Sequence, residues 1–186
     1  MWCEHLIVAD ADYVGRVAER LASDFQNMLN RPVGKADLAR WIDCVALDGG
    51  LRPGKQQTQV VLVHDKHTRG MEPFRPSAFE EIDGQAFSDS LGEFLLSAVA
   101  VEDMVKKDDL MAEMVELALE REEVKRIVVV ADCGERLHCA IDKSEASVQR
   151  VTLLTMQLLA DDSFHQELLG YSVMQALGIR GEELAK

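Results

Sequence analysis

Three short runs of branched aliphatic residues, each closing on an aspartate, constrain this chain more than any other feature. His5-Leu-Ile-Val-Ala9 leads into Asp10, Gln59-Val-Val-Leu-Val63 into His64-Asp65, and Ile127-Val-Val-Val-Ala131 into Asp132. Short continuous apolar runs rich in Val and Ile read as strands covered on both faces. Between them stand stretches with apolar residues three and four apart: Val14, Val17, Leu21, Phe25, Met28 and Leu29, then Leu38, Trp41, Ile42 and Val45, then Leu110, Met114, Leu117 and Ala118, a face widened by Met111 and Val115. That spacing gives a helix with one apolar face. Strands alternating with such helices predict an α/β fold of three layers around a mainly parallel sheet.

The boundaries follow from local chemistry. Asp12 is placed to cap the first helix, which ends at Arg31-Pro32, and Gly49-Gly50 stops the second, begun near Ala36. Residues 66–76 read as an exposed loop, and Asp83-Gly84 as a hairpin turn, with Leu91-Gly92 as an alternative second turn, before a longer strand at 93–101. Residues 134–143 read as a short helix and Val151–Met156 as the last strand. Ser163-Phe-His-Gln166 has capping-box form and opens a closing helix, stopped by Gly178. Nothing divides the chain, so residues 1–186 are expected to form a single domain, with 66–101 as a loop-and-hairpin insert.

The charge decides which partners to expect. Thirty-three acidic against 20 basic side chains leave −13 over 186 residues. A broad nucleic-acid surface needs clustered Lys and Arg, so nucleic acid is expected only locally, along the one basic-leaning stretch of Lys55, Lys66, His67, Arg69 and Arg75. Neither a signal segment nor a membrane span is legible. Cys3, Cys44, Cys133 and Cys139 read as free thiols, which points to the cytoplasm. Cys133, at the start of a helix, reads first as a small buried residue and second as an activated thiol.

In a parallel sheet, ligands bind beyond the carboxyl ends of the strands. Asp10, Asp12 and Asp132 fall there, with Asp109 at a helix start, and Asp65 and Asp108 as secondary members. Gathered carboxylates suit Mg²⁺ or Mn²⁺, which take hard oxygen ligands. Each aspartate also has an ordinary reading as a helix cap or as a complement to a helix dipole.

The segments Leu6-Ile-Val-Ala-Asp10-Ala-Asp12, Lys107-Asp108-Asp109-Leu110 and Ile127-Val-Val-Val-Ala-Asp132 resemble the metal-binding pattern of PIN-like nucleases of the NYN type. The resemblance implies a Rossmann-like fold and a Mg²⁺- or Mn²⁺-dependent ribonuclease site. The chain departs from that pattern at Val130-Ala-Asp-Cys-Gly-Glu135, where the family's Ser-Gly pair is missing and its second aspartate falls on Gly134. Ala46-Leu-Asp-Gly-Gly-Leu51, Leu91-Gly-Glu-Phe94 and Gln166-Glu-Leu-Leu-Gly-Tyr-Ser172 resemble a small bacterial family of unknown function, and more closely. Two readings therefore stand: a non-catalytic interaction domain that kept the fold, or a metal-dependent ribonuclease.

Other chemistries find little support. His64 and His67 lack a third zinc ligand at a fixed spacing, and Gly49–Gly54 lacks the Lys-Ser of a phosphate loop. The closing helix, with Tyr171, Met174 and Leu177, reads equally as a homodimer surface or as a helix docked on its own sheet.

Overall fold

The aspartate-terminated runs become the centre of the sheet. In the computed structural model, which describes residues 2–160 and 163–185, β1 (His5–Asp10) lies between β3 (Gln57–Asp65) and β7 (Arg126–Val130), parallel to both. All three end on one edge because all three run the same way. The helices α1 (Ala11–Leu29) and α2 (Leu38–Asp48) connect β1 to β3, with a two-residue strand β2 (Ala36–Asp37) between them. β4 (Phe74–Arg75) pairs with β2, and α3 (Phe79–Ile82), β5 (Ala86–Asp89) and β6 (Gly92–Val101) follow. The rest runs α4 (Lys107–Leu119), β7, α5 (Glu135–Ile141), α6 (Glu145–Val148), β8 (Val151–Thr155), β9 (His165–Leu168), α7 (Leu169–Ala176) and α8 (Gly181–Leu184).

The strand order is β5-β6-β3-β1-β7-β8-β9, and β5 alone is antiparallel. Numbering only the parallel strands, the chain builds outward from the first to the third, then returns to place the fourth beside the first. The order therefore reverses between β1 and β7. The loops that leave those two strands part there, which opens the crevice where ligands bind in sheets of this kind.

Alternation along the strands feeds two cores. Ile7, Ala9, Val60, Leu62, Val128 and Val130 pack with α1, α2 and α7 on one face. Leu6, Val8, Val61, Val63, Ile127 and Val129 pack with α4 and α5 on the other. Both faces of the sheet are covered, which is why its strands read as unbroken apolar runs.

Several local expectations are corrected. Asp10, not Asp12, caps α1, its carboxylate accepting the Tyr13 amide at 3.0 Å. The helix ends on Asn30 in the left-handed region, φ 49°, before Pro32 is reached. The loop after β3 is not wholly exposed, since Met71 and Phe74 are buried. Asp83-Gly84 follows α3 instead of turning a hairpin, and the hairpin joins β5 to β6 through Ser90-Leu91. On α4 the expected Met111, Val115 and Ala118 are buried together with Ala112, Leu110 and Met114 are partly buried against the same core, and only the place of Leu117 changes, since it is exposed. A strand, β9, occupies the place given to the start of the closing helix, and α7 begins only at Leu169. Among the described residues no helix is long and apolar enough to cross a membrane.

Candidate functional site

Position along β1, β3 and α4 brings four charged groups together at the carboxyl edge. Asp10 is the last residue of β1, Asp12 lies in the first turn of α1, and Asp65 ends β3. The helix α4 packs across β1 and β3, so its first residue, Lys107, arrives above those strand ends. Its ammonium donates to Asp12 Oδ2 at 2.7 Å, Asp10 Oδ1 at 3.0 Å and Asp65 Oδ2 at 3.3 Å. The side chains of Lys107, Asp10 and Asp12 are 16%, 15% and 7% exposed, whereas Asp65 is 60% exposed. The first three groups thus form the sheltered part of the cluster and Asp65 its wet rim.

The hydrogen bonds set the protonation states. Burial pushes the Asp12 carboxyl up, but donors from Lys107, Thr68 and the Asp65 amide outweigh it and hold it below the usual carboxylate value. The Asp65 amide donates to Asp12 Oδ2 at 2.7 Å. Burial likewise pulls the Lys107 ammonium down, and its bonds to Asp12 and Asp10 reverse that and hold it above its ordinary value. Asp12 and Lys107 are therefore both charged at neutral pH.

The other acids named from the sequence are placed differently. Asp108 turns toward α5, accepting the Leu137 amide at 3.3 Å. A Cβ built on Gly134 would lie 2.8 Å from both oxygens of that carboxylate, so Asp108 fills the space that any side chain at 134 would need. Asp109 lies in the first turn of α4, and its charge bears on Arg136. Asp132 is exposed beyond β7 and makes no hydrogen bond or ion pair with Asp10, Asp12 or Lys107. Among the described residues, no set of three or more His, Cys, Asp or Glu side chains is arranged to hold a metal ion.

The histidine pair separates. His64 is buried and stacked on Phe79, ring centroids 3.9 Å apart, while His67 is exposed. With Asp65, Lys66, Thr68, Glu102 and Asp103, His67 lines a cavity of about 410 Å³ beside the cluster. Burial pushes the Cys133 thiol up to about 12, helped by Asp108 and Asp132, so it is not an activated nucleophile. The four cysteines are free.

Lys107 is the residue that sequence reasoning passed over. The signal was available. A lysine in the first turn of a helix opposes the helix dipole, and Lys107 stands immediately before Asp108 and Asp109, which suit that position. A cation put where the backbone does not favour one points to a partner elsewhere.

Comparison with curated proteins and with solved structures returns no match. A match to the model of a family of unknown function, DUF6621, spans residues 1–184, and the chain belongs to that family.

Proposed function

We propose that this chain is a PIN/NYN-like, Rossmann-like domain that works by binding and not by catalysis, its acidic edge being closed by its own lysine. The observation that carries this reading is the Lys107 ammonium, held within 3.3 Å of three carboxylates at the strand ends. A divalent ion does not fit those donors as they stand, because Lys107 already supplies the positive charge at hydrogen-bond distance. Gly134 and Asp108 support the same reading. The position where the nuclease pattern carries a second aspartate is a glycine, and a neighbouring carboxylate occupies the space above it.

The test combines single-stranded RNA with Mn²⁺ or Mg²⁺. Wild type is expected to leave the RNA intact, and 1 mM Mn²⁺, on the order of a weak carboxylate site's affinity, is expected to shift its Tm no more than that of Asp10→Asn. Metal-dependent cleavage by wild type that Asp10→Asn abolishes would establish the ribonuclease reading and overturn this one.

A further inference from the structure

The opposite edge of the sheet carries a cavity of its own. β7, β8 and β9 run parallel, so Arg126, Val151 and His165, which begin them, lie on one edge. The end of α2, at Asp48, closes on the same place. Together these elements line a cavity of about 510 Å³, with Asp48, Arg52, Arg126, Thr152, His165 and Glu167 among its walls. Clefts of roughly 300–1,000 Å³ hold small molecules.

The turn after α2 makes room for one of those arginines. Gly49 is buried, and a Cβ on it would collide with Val128 of β7. Gly50 has φ 86°, a conformation that favours glycine, and a Cβ there would lie 2.8 Å from Arg126 Nη1. The paired glycines let the turn lie close against β7, and the Arg126 guanidinium takes the space a side chain at 50 would need.

The charges in the cavity do not pair off. His165 Nε2 and Glu167 Oε1 are 2.8 Å apart, so those two side chains are committed to each other. Burial pushes the Asp48 carboxyl up, and the charges that bear on it are those of Glu167, which adds to the rise, and His165, which opposes it. Arg52 donates from Nη1 to the Leu51 carbonyl at 2.7 Å. Arg126 stands opposite His5 in the β1–β7 register. Among the described residues no ion pair reaches either guanidinium, and both side chains are exposed. Two forked donors thus open on one cavity with no acid assigned to them.

That arrangement selects a ligand chemistry. A guanidinium fork takes two oxygens of a carboxylate or phosphoryl group. A carboxylate, with two oxygens and one charge, fills one fork. A phosphomonoester, with three oxygens and close to two charges, fills two. Ionised Asp48 and Glu167 can only accept, so the rest of the ligand must donate, as hydroxyl groups do.

We propose that this cavity binds a small phosphomonoester bearing hydroxyl groups, its phosphoryl group on Arg52 and Arg126 and its hydroxyls on Asp48 and Glu167. The Lys107 cluster lies at the other edge of the sheet, so the two sites can be tested separately.

The experiment measures melting of the full chain with glycerol 3-phosphate, ribose 5-phosphate and glucose 6-phosphate in turn, at matched ionic strength. At about 10 mM, roughly ten times the Kd of a weak site, at least one of the three is expected to raise the wild-type Tm by about 4 °C. The parent alcohol of that compound is expected to leave Tm unchanged, and gluconate, which puts hydroxyls on a carboxylate, to give less than half the shift. Arg126→Gln is expected to abolish the shift and Arg52→Gln to halve it or more. Arg69→Gln, which removes an exposed cation elsewhere, is expected to keep it whole. No shift with any of the three compounds, a shift that survives Arg126→Gln, or one that Arg69→Gln removes equally would overturn the site. A shift as large with gluconate would overturn its assignment to a phosphoryl group. Should Arg126→Gln not fold, Arg52→Gln removes the second fork from an exposed position and decides the same question.

Discussion

Two groups of acids meet the same difficulty in opposite ways. At the carboxyl edge, the Lys107 ammonium lies among Asp10, Asp12 and Asp65 and supplies the compensating charge. On α2, burial and the neighbouring Asp89 raise the Asp43 carboxyl to about 7. The difference lies in what the surrounding elements deliver. The helix α4 starts above the strand ends and brings a lysine with it, whereas the charges that act on Asp43 are those of Asp89 and Asp37. A lysine answer holds across the ordinary pH range, whereas a carboxyl raised to about 7 loses its proton near neutrality.

The largest effect is expected from removing the lysine. Lys107→Met leaves Asp10 and Asp12 sheltered and uncompensated, which should cost about 3 kcal/mol and lower Tm by about 6–12 °C. The pH dependence is fixed by the direction of each shift. Asp12 is held low, so its contribution is present above about pH 4 and lost as pH falls through its lowered value. Lys107 is held high, so its contribution persists up to about pH 10 and is lost as pH rises beyond that. The gap between wild type and variant should be wide at pH 7 and close on acidification, whereas a raised carboxyl such as that of Asp43 costs stability as pH rises. Melting curves at pH 3, 5 and 7 check this, and a gap that widens toward acid breaks the contrast.

The sequence revealed this architecture unevenly, for physical reasons. β1, β3 and β7 were legible because a strand covered on both faces must be apolar throughout, and their shared direction put Asp10 and Asp65 on one edge. β9 was missed because His165-Gln-Glu-Leu168 is half polar, as an edge strand tolerates, and local capping chemistry at Ser163 imitated a helix start. The acidic edge was legible, but not the cation within it, since Lys107 reaches it from a helix that follows a different strand. Asp43 on α2 and Asp89 on β5 are separated in the chain by β3, β4 and α3, and no pattern local to either residue announces that one acts on the other.

A smaller effect is expected where Asp108 stands over Gly134. Gly134 has φ −78°, open to any residue, so the glycine is required by space and not by backbone conformation. A Cβ there must displace a carboxylate that accepts the Leu137 amide. Gly134→Ala is expected to cost about 1–2 kcal/mol, as overpacking does, and much less in an Asp108→Ser background. Denaturant titration of the two single variants and the double variant measures that coupling. Additive costs would show that the two positions do not compete for space.

The least effect is expected at a third acid, where water supplies most of the screening. Glu116 on α4 takes both guanidinium nitrogens of Arg136 on α5, at 2.8 and 2.9 Å, and the Lys143 ammonium at 2.8 Å. Those hydrogen bonds, Arg136 first, hold its carboxyl near 2. Yet Arg136 and Lys143 are 40% and 54% exposed, and such pairs contribute little in high dielectric. Glu116→Gln should lower stability by under about 1 kcal/mol at pH 7, and the deficit should vanish as pH falls from about 4 toward 2. Salt separates this site from the first. At about 1 M, where screening acts within roughly 3 Å, the Glu116→Gln deficit should shrink toward zero while most of the Lys107→Met deficit survives. If salt erases both alike, Lys107 is a surface ion pair like Arg136, and the carboxyl edge loses its distinction from the rest of the charged surface.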